Sequence, residues 1–258
     1  MKKTFAIIAS VSLALATCSC IIEKRHSSDG TLAPGLAGNS FKVEEFDKLD
    51  LSGSGTIIYT QAPADSIRIE GKPEDIKLLE LTQEGSTVYI GWKDRNVKRF
   101  RNGAHGRINI YVSSLNLKDV HLSGSSDFHA KKLIKVDDLR ISSSGSSDIK
   151  IDRIEGHSIK VGTSGAGDIE IDSAAVNTFF ARTSGAGDIE ASLHNTDEID
   201  IHVSGAGDVN LDVNNCGDIN LDISGAASID LKGTARSLTK NKSGMASINT
   251  DNLTLSQK

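Results

Sequence analysis

A column of aspartates is the first feature of this sequence that could do chemistry. Asp127, Asp148, Asp168, Asp188 and Asp208 each stand three residues after a Ser-Gly pair, with steps of 21, 20, 20 and 20 residues. If the chain coils with that period, neighbouring carboxylates lie about 5 Å apart and repel each other by about 1 kcal/mol in water. We therefore expect each carboxylate to accept a backbone N–H in its own turn, as Asx turns do.

A calcium column is the alternative interpretation of these carboxylates. Ca²⁺ prefers oxygen ligands, and a cation shared by Asp148, Asp168, Asp188 and Asp208 would relieve the repulsion. The Gly-x-Gly-x-Asp pattern is similar to calcium-binding repeats, but those recur roughly every nine residues instead of every twenty. The sequence therefore predicts neither a metal nor another cofactor, with calcium kept as an alternative.

Residues that could perform catalysis do not cluster in the sequence. The seven His are scattered, and neither an HExxH zinc motif nor a GxSxG nucleophile motif occurs. A lyase on a β-helix would need a basic side chain beside acidic groups. Residues 164–230 hold 13 acidic side chains and one basic side chain, Arg182, which is a poor base while it is charged. We expect no enzyme, and a polysaccharide-active enzyme of the pectin-lyase type is the alternative.

The first residues have the pattern of a bacterial lipoprotein signal. Lys2 and Lys3 precede an apolar run that ends in Thr-Cys-Ser-Cys, which is too short to be a mature membrane helix. Residues 1–17 are predicted to be the signal peptide. Cys18 is the predicted lipid attachment site because Leu15 precedes it by three residues, and Cys20 is the alternative. An ordinary cleaved signal is a third possibility, and residues 18–40 are predicted to be a flexible tether.

Composition excludes several classes of protein. The 258 residues include three cysteines, too few for a disulfide framework or a four-thiolate zinc site. A formal charge of −5 argues against nucleic acid as a partner. Hydrophobic residues make up 38% of the chain, which is enough for a packed core and too many for wholesale disorder.

The chain repeats itself about every twenty residues from the first Asp column member onward. Seven Ser-Gly pairs follow one another at steps of 21, 20, 20, 20, 20 and 19 residues. The glycines of these pairs are Gly124, Gly145, Gly165, Gly185, Gly205, Gly225 and Gly244. A tight corner between two sheets requires a positive φ, which glycine adopts at little cost. An eighth copy, SGSGTIIY from Ser52, is an outlier that lies 71 residues before the next one.

The repeat also predicts which side chains face inward. Apolar residues stand four and six positions after each glycine, as Ile169 and Ile171 do after Gly165, and polar residues such as Glu170 lie between them. A second alternation precedes each glycine, as in Ile159 and Val161. Each repeat is therefore predicted to be a strand, a loop, a second strand and a glycine corner.

Stacking of these strands predicts an all-β fold, a parallel β-helix or solenoid with coils of about twenty residues. An antiparallel sandwich or propeller is the alternative, but tight hairpins and blade repeats of about forty residues are not evident. Residues 41–255 are predicted to form one β-solenoid domain. Residues 122–255 are its regular repeats, and residues 41–121 are irregular coils and a cap with one short helix, Glu74 to Leu81. A separate domain is the alternative for residues 41–121.

Charge is distributed unevenly along the chain. Besides the acidic stretch 164–230, residues 93–107 hold six basic side chains against Asp94 alone. A solvated acidic face and a solvated basic loop are the simplest explanation. Head-to-tail contact between neighbouring molecules, or recognition of charged glycans by the basic loop, are the functional alternatives.

The layout resembles a known family. A lipoprotein signal, a strand-rich start (SFKVEEFDKLDLSGSGTIIYTQAPADSIRIEG), a middle segment (INIYVSSLNLKDVHLSGSSDF) and repeated glycine corners are similar to the head GIN domain family of auto-transporter adhesins. The resemblance covers roughly residues 41–250. It implies a β-helical fold without a recognised catalytic constellation and a role in cell adhesion, and it supplies no site residues.

Together these observations predict a lipid-anchored cell-envelope protein that presents a β-helical surface for adhesion or binding. Expected partners are glycans or host and matrix surface proteins, and the membrane is contacted through the lipid. A homo-oligomer is compatible with the pattern, and a self-associating structural envelope protein is a further alternative to the enzyme. The outer membrane is the expected location.

Overall fold

The structure, a computed structural model, describes residues 20–21, 24–25, 37–93 and 108–256. It is 82% strand and 2% helix, and its parallel coils stack into a β-solenoid of about six turns. The predicted fold class is confirmed. No helix in the described residues is long and apolar enough to span a membrane.

The regular coils are built from long extended runs that include the glycine corners. Six strands make up this part: β9 (Asp119–Ser146), β10 (Ile149–Ala166), β11 (Ile169–Ala186), β12 (Ile189–His194), β13 (Glu198–Gly244) and β14 (Ser247–Leu255). Consecutive coils pair in parallel, with Ile149 opposite Ile169, Ile169 opposite Ile189, and Ile189 opposite Val209. The sequence period of twenty is thus the length of one coil.

The core is a set of side-chain ladders along the solenoid axis. Ile149, Ile169, Ile189 and Val209 have exposed fractions of at most 1%. The column before the corner is also buried, from Ile159 through Phe179 to Ile199. Burial of each such aliphatic side chain contributes about 1.5–3 kcal/mol, so the stacked columns are the main source of stability.

The segment predicted to be a loop between the two strands of each coil is itself paired and partly buried. Residues 154–156 of β10 lie opposite residues 174–176 of β11. This segment carries a third inward column, and its members are Ile134, Ile154, Ala174, Leu193 and Val213. The prediction of two strands and a loop was wrong in this respect, because single apolar residues here leave too little alternation to identify a strand.

The outlying SGSG copy is the first rung of the solenoid. β4 (Lys48–Gln61) pairs in parallel with β9, and Ser52 and Gly53 lie opposite Ser123 and Gly124. The 71-residue step that separates the two copies in the sequence is therefore one rung in space. The residues between them form an insertion that covers the end of the solenoid.

This insertion has a mixed topology. It comprises β5 (Ser66–Gly71), α1 (Pro73–Ile76), β6 (Leu79–Glu84), β7 (Thr87–Trp92) and β8 (Asn109–Ser114). β7 and β8 each pair in parallel with one half of β4, and β6 and β5 then pair antiparallel with β7 and β8. The open edge of the first rung is thus extended by four strands, as terminal units of solenoids require.

Two details of this region differ from the sequence prediction. The helix ends at Ile76, and Leu79 already pairs with Trp92, so the predicted helix from Glu74 to Leu81 was too long. Cross-strand pairing of residues 79–84 with residues 87–92 outweighs their local helix propensity. β6 and β7 also form a tight hairpin through Gly85, which has a φ of 57°, although no hairpin was evident in the sequence.

The predicted tether contributes strand residues at its end. β3 (Ala37–Phe41) begins before the predicted domain boundary at residue 41 and pairs antiparallel with β5. β1 (Cys20–Ile21) and β2 (Lys24–Arg25) are two-residue pairings with β6 and β3. The predicted signal peptide lies outside the described residues.

β14 lies at the opposite end of the sheet order from the insertion. Met245 and Leu255 are 86% and 41% exposed in this last coil. Both ends of the described solenoid are therefore different, with extra strands at the first rung and a strand edge at the last.

Candidate binding surface

The glycine corners set the geometry of the solenoid's most regular exposed surface. From Gly53 to Gly244, the eight stacked corner glycines have φ values between 84° and 132°. A Cβ placed at Gly185 would overlap the carbonyl oxygen of Gly165 on the preceding rung. Each corner position therefore needs glycine both for its backbone angle and for the close stacking of the rungs.

The aspartates that follow the corners form a hydrogen-bonded ladder. The backbone N–H of Asp148, Asp168, Asp188 and Asp208 donates to Oδ1 of the aspartate one rung earlier, over distances of 3.3, 3.1, 2.9 and 2.8 Å. The prediction that each carboxylate accepts a backbone N–H was right about the acceptor, but the donor lies on the next rung and not in the same turn. Parallel stacking puts that N–H directly above the carboxylate.

The same peptide is held on its other side. The carbonyl of Asp188 accepts the N–H of Ile169 at 2.9 Å, while the N–H of Asp188 donates to Asp168 Oδ1 at 2.9 Å. One residue pair, Asp168 and Ile169, thus clamps the aspartate of the following rung. The ladder ties successive corners together where the chain turns away from regular sheet pairing.

A shallow groove of about 630 Å³ runs along this corner. Its lining consists of small residues and of the aspartate ladder, from Asp127 to Asp208. Within residues 38–93 and 108–256, no three His, Cys, Asp or Glu side chains converge as ligands of one metal ion. The calcium column through Asp148, Asp168, Asp188 and Asp208 stays a prediction of the sequence.

The sheet face after the corner is mainly acidic. Lys150 forms an ion pair with Glu170, and Lys232 lies 3.4 Å from Asp212. Burial raises the pKa of Asp172, to which the nearby Glu170 carboxylate adds and which Lys150 opposes. A second groove, of about 340 Å³, opens on this face between the columns of Glu190 and Asp212. Its surface favours hydroxyl-bearing or cationic ligands over anions.

The family model described as "Putative auto-transporter adhesin, head GIN domain" matches residues 45–220 and 194–257. The chain belongs to this family. The resemblance that the repeats indicated is therefore confirmed, and it extends over most of the solenoid. No curated protein matches the chain.

Solved structures share the fold of this head GIN protein. A structure described as a putative adhesin from Bacteroides fragilis has a TM-score of 0.70 at 23% identity, over 84% of this chain and 97% of that one. A structure described as a putative lipid binding protein from Parabacteroides distasonis has a TM-score of 0.63 at 20% identity, over 84% and 96%. A third, described as a putative adhesin from Parabacteroides merdae, has a TM-score of 0.55 at 17% identity, over 83% and 95%. These likenesses show the fold alone.

The residues considered for catalysis lie apart from one another. Arg182 is exposed on the face before the corner, opposite Gly162 and His202 on the neighbouring rungs. The aspartate ladder lies beyond the corner, on the other side of Gly185. Cys216 is buried, and burial raises the pKa of its thiol, which keeps it protonated and a poor nucleophile.

Other predicted site residues of this head GIN chain lie outside the described part. Cys18 and residues 94–107 of the basic segment belong to this group, and only the backbone of Cys20 is described. One corner glycine, Gly53, was not among the seven predicted from the period. Its Ser-Gly signature was present in the sequence, but a 71-residue insertion hides its register.

Proposed function

We propose that this chain is a lipid-anchored cell-envelope protein that presents the faces of its solenoid for adhesion or binding, without catalysis. The observation that carries the proposal is the repetition of one exposed corner surface, from Asp127 to Asp208, on successive rungs. A surface that repeats about every 4.8 Å suits weak contacts made many times with a repetitive partner. Membership of a family described as adhesins supports the same conclusion.

A binding panel tests the proposed function. The full chain, processed in a Gram-negative host and purified in mild detergent, is exposed to immobilised polysaccharides, mucins and matrix proteins. Retention and newly formed polysaccharide chain ends are scored together. Retention without new chain ends is the expected result. New chain ends would make the protein an enzyme and contradict the proposal.

The lipid anchor is tested separately. We propose that Cys18 carries the lipid, since Leu15 stands three residues before it, and that Cys20 is not needed. Mass spectrometry of the processed chain should find an acylated N-terminal cysteine at position 18. Cys18→Ser should abolish acylation and release the protein from membranes, whereas Cys20→Ser, the matched control, should change neither. The reverse result would assign the anchor to Cys20.

Self-association is a second candidate function, and the last coil favours it. β14 is the edge strand at that end, and Met245 and Leu255 are exposed beside it. Exposed edge strands pair readily with further chains. Sedimentation of the purified protein over a hundredfold concentration range distinguishes the two candidates: a constant monomer supports the binding protein, and concentration-dependent assembly without ligand supports the structural role.

A further inference from the structure

The face before the glycine corner carries an outward aromatic side chain in a column that is otherwise polar. Arg140, Lys160, Phe180 and Asp200 are register partners on four successive rungs. Phe179 points into the core and is 1% exposed, so Phe180 points outward and is half-buried. Its ring centroid lies 5.3 Å from that of His202 on the next rung, with the two rings tilted by 41°.

Three cations surround this ring. Arg140 and Lys160 precede Phe180 in its own column, and Arg182 follows it by two residues on the same strand and therefore on the same face. All three are exposed, and none lies within 4.0 Å of a carboxylate in the described part of the chain. Adjacent rungs are about 4.8 Å apart, so these like charges repel one another unless an anion binds between them.

A recess lies beside the ring. Gly162 is the register partner of Arg182 and follows Lys160 by two residues. A Cβ at Gly162 would lie 3.5 Å from the Arg182 carbonyl oxygen and 4.0 Å from its Cβ, which are ordinary contact distances. Glycine is therefore not required there by the backbone, and its missing side chain leaves open space between two cations.

We propose that Arg140, Lys160, Phe180 and Arg182, the cationic patch, bind an acidic glycan, with one sugar ring on Phe180 and its carboxylate or sulfate between the cations. An aromatic face suits the C–H face of a sugar ring, and paired or forked cations suit its anionic group. This inference rests on the proposed function and names the ligand class of one face of the solenoid.

Carboxylates next to the cationic patch favour a glycan over a nucleic acid or a membrane. Asp200 follows Phe180 in its column, and Asp222 lies 3.6 Å from His202. These groups can accept sugar hydroxyl protons. The continuous negative charge of a nucleic acid or of an anionic bilayer would meet them unfavourably along with the acidic stretch 164–230.

The test compares two triple variants of the full chain that remove the same charge. Arg140→Ala/Lys160→Ala/Arg182→Ala empties the cationic patch. Lys131→Ala/Lys132→Ala/Arg153→Ala removes three exposed cations from a different segment of the same coils and is the matched control. Binding of tetragalacturonate, a heparin tetrasaccharide and neutral maltotetraose is measured by calorimetry, with a single-stranded oligonucleotide and phosphatidylserine vesicles as competing classes.

Wild-type protein should bind at least one acidic tetrasaccharide at least tenfold more tightly than maltotetraose. The patch variant should lose at least tenfold in affinity, and the control variant less than twofold. Tetragalacturonate and heparin distinguish a carboxylate from a sulfate as the recognised group. Phe180→Ala should also weaken binding, and Gly162→Leu should block the recess while thermal unfolding shows that the fold is intact.

Several results would overturn the inference. Equal losses in the two triple variants would show that binding depends on overall charge only. Tighter binding of the oligonucleotide or of the vesicles than of either acidic tetrasaccharide would assign the patch to that class instead. If the protein is retained by neutral glycans or proteins in the panel but binds no acidic tetrasaccharide, this inference is wrong and the proposed function stands. If nothing in the panel is retained, both are wrong.

Discussion

A buried side chain of this solenoid contacts its own counterpart on the rungs before and after it. Ile169 lies opposite Ile149 on one side and Ile189 on the other, and all three are buried. Truncation of a middle member therefore removes contacts on two rungs at once. The residues between them on the strand face solvent and make no such contribution.

We expect Ile169→Ala to lower the free energy of unfolding by about 2–5 kcal/mol, because it leaves a cavity inside a stacked column. Glu190→Ala, an exposed change on the next rung, is the matched control and should cost less than about 1 kcal/mol. Urea unfolding followed by circular dichroism measures both. Similar losses for the two variants would show that the inward register is wrong.

A second residue-scale prediction concerns Asp218. Hydrogen bonds from Arg236 and Ser237, at 2.6–2.9 Å, lower its pKa from 3.8 to about 2. Because the pKa is lower in the folded state, the stabilisation is present above pH 3.8 and is lost as the pH falls towards 2. Wild type should therefore exceed Asp218→Asn in stability at pH 6, and the difference should shrink as the pH approaches 2. A difference that stays constant over this range would contradict the assignment.

At the scale of a structural element, the corner is held by backbone groups and one carboxylate ladder. The ladder replaces sheet pairing where the chain turns, and the glycines allow rungs to approach closely. Serine and alanine beside the glycines keep that approach open. Exposed charge at the corner is thus used to satisfy backbone donors, which the sequence alone leaves open to other interpretations.

The ladder predicts different outcomes for two substitutions of Asp188. Asp188→Ala removes the acceptor of the Asp208 N–H and should lower the free energy of unfolding by about 1 kcal/mol. Asp188→Asn keeps an oxygen acceptor and removes charge repulsion, so its stability should stay within about 0.5 kcal/mol of wild type. Thermal unfolding of both variants, with calcium and with a chelator, checks this. A cost for Asn as large as that for Ala would show that the charge itself is required.

The corner glycines predict a further pair of outcomes. Gly185→Ala combines a φ of 125° with overlap of the Gly165 carbonyl oxygen, and it should destabilise the protein by more than about 1 kcal/mol. Gly162→Ala is the matched control, since its Cβ has ordinary contact distances, and it should be neutral or slightly stabilising. The two variants are compared by thermal unfolding. Equal effects would remove the steric argument for the corners.

Across the whole molecule, stability is a sum over rungs and their interfaces, as in other repeat proteins. Ile169 pairs with Ile189 and Ile189 pairs with Val209 in the same register. Each internal coil therefore meets nearly the same surface on both sides. The insertion at the first rung and the edge strand β14 are the two places where this equivalence ends.

Removal of one full coil tests this equivalence. Deletion of residues 189–208 should give a folded protein, because Val209 then stacks on Ile169 in the register of the column it replaces. Deletion of residues 189–198 removes half a coil, misplaces the following corners and should prevent cooperative folding. Circular dichroism and the slope of urea unfolding distinguish the two, and the slope for the full-coil deletion should fall in proportion to chain length. Equal folding of both would contradict a fixed register.

The sequence by itself determined the repeated part of the fold. A period of twenty residues, inward columns such as Ile169 and Ile189, and the corner glycines follow from local spacing, because every coil meets the next at a constant distance along the chain. The column of Arg140, Lys160 and Phe180 has the same step and could have been found in that way. It was missed because only the acidic stretch and the basic loop were compared as charged regions.

Tertiary structure decided what local spacing does not encode. The pairing of Gly53 with Gly124 spans a 71-residue insertion, and the antiparallel strands of that insertion depend on contacts between distant segments. The donor to each ladder aspartate also belongs to the next rung, since it is the stacking that brings N–H and carboxylate together. Sequence periodicity fixes which residues repeat, whereas the partners of an irregular segment are set by the edge that it has to cover.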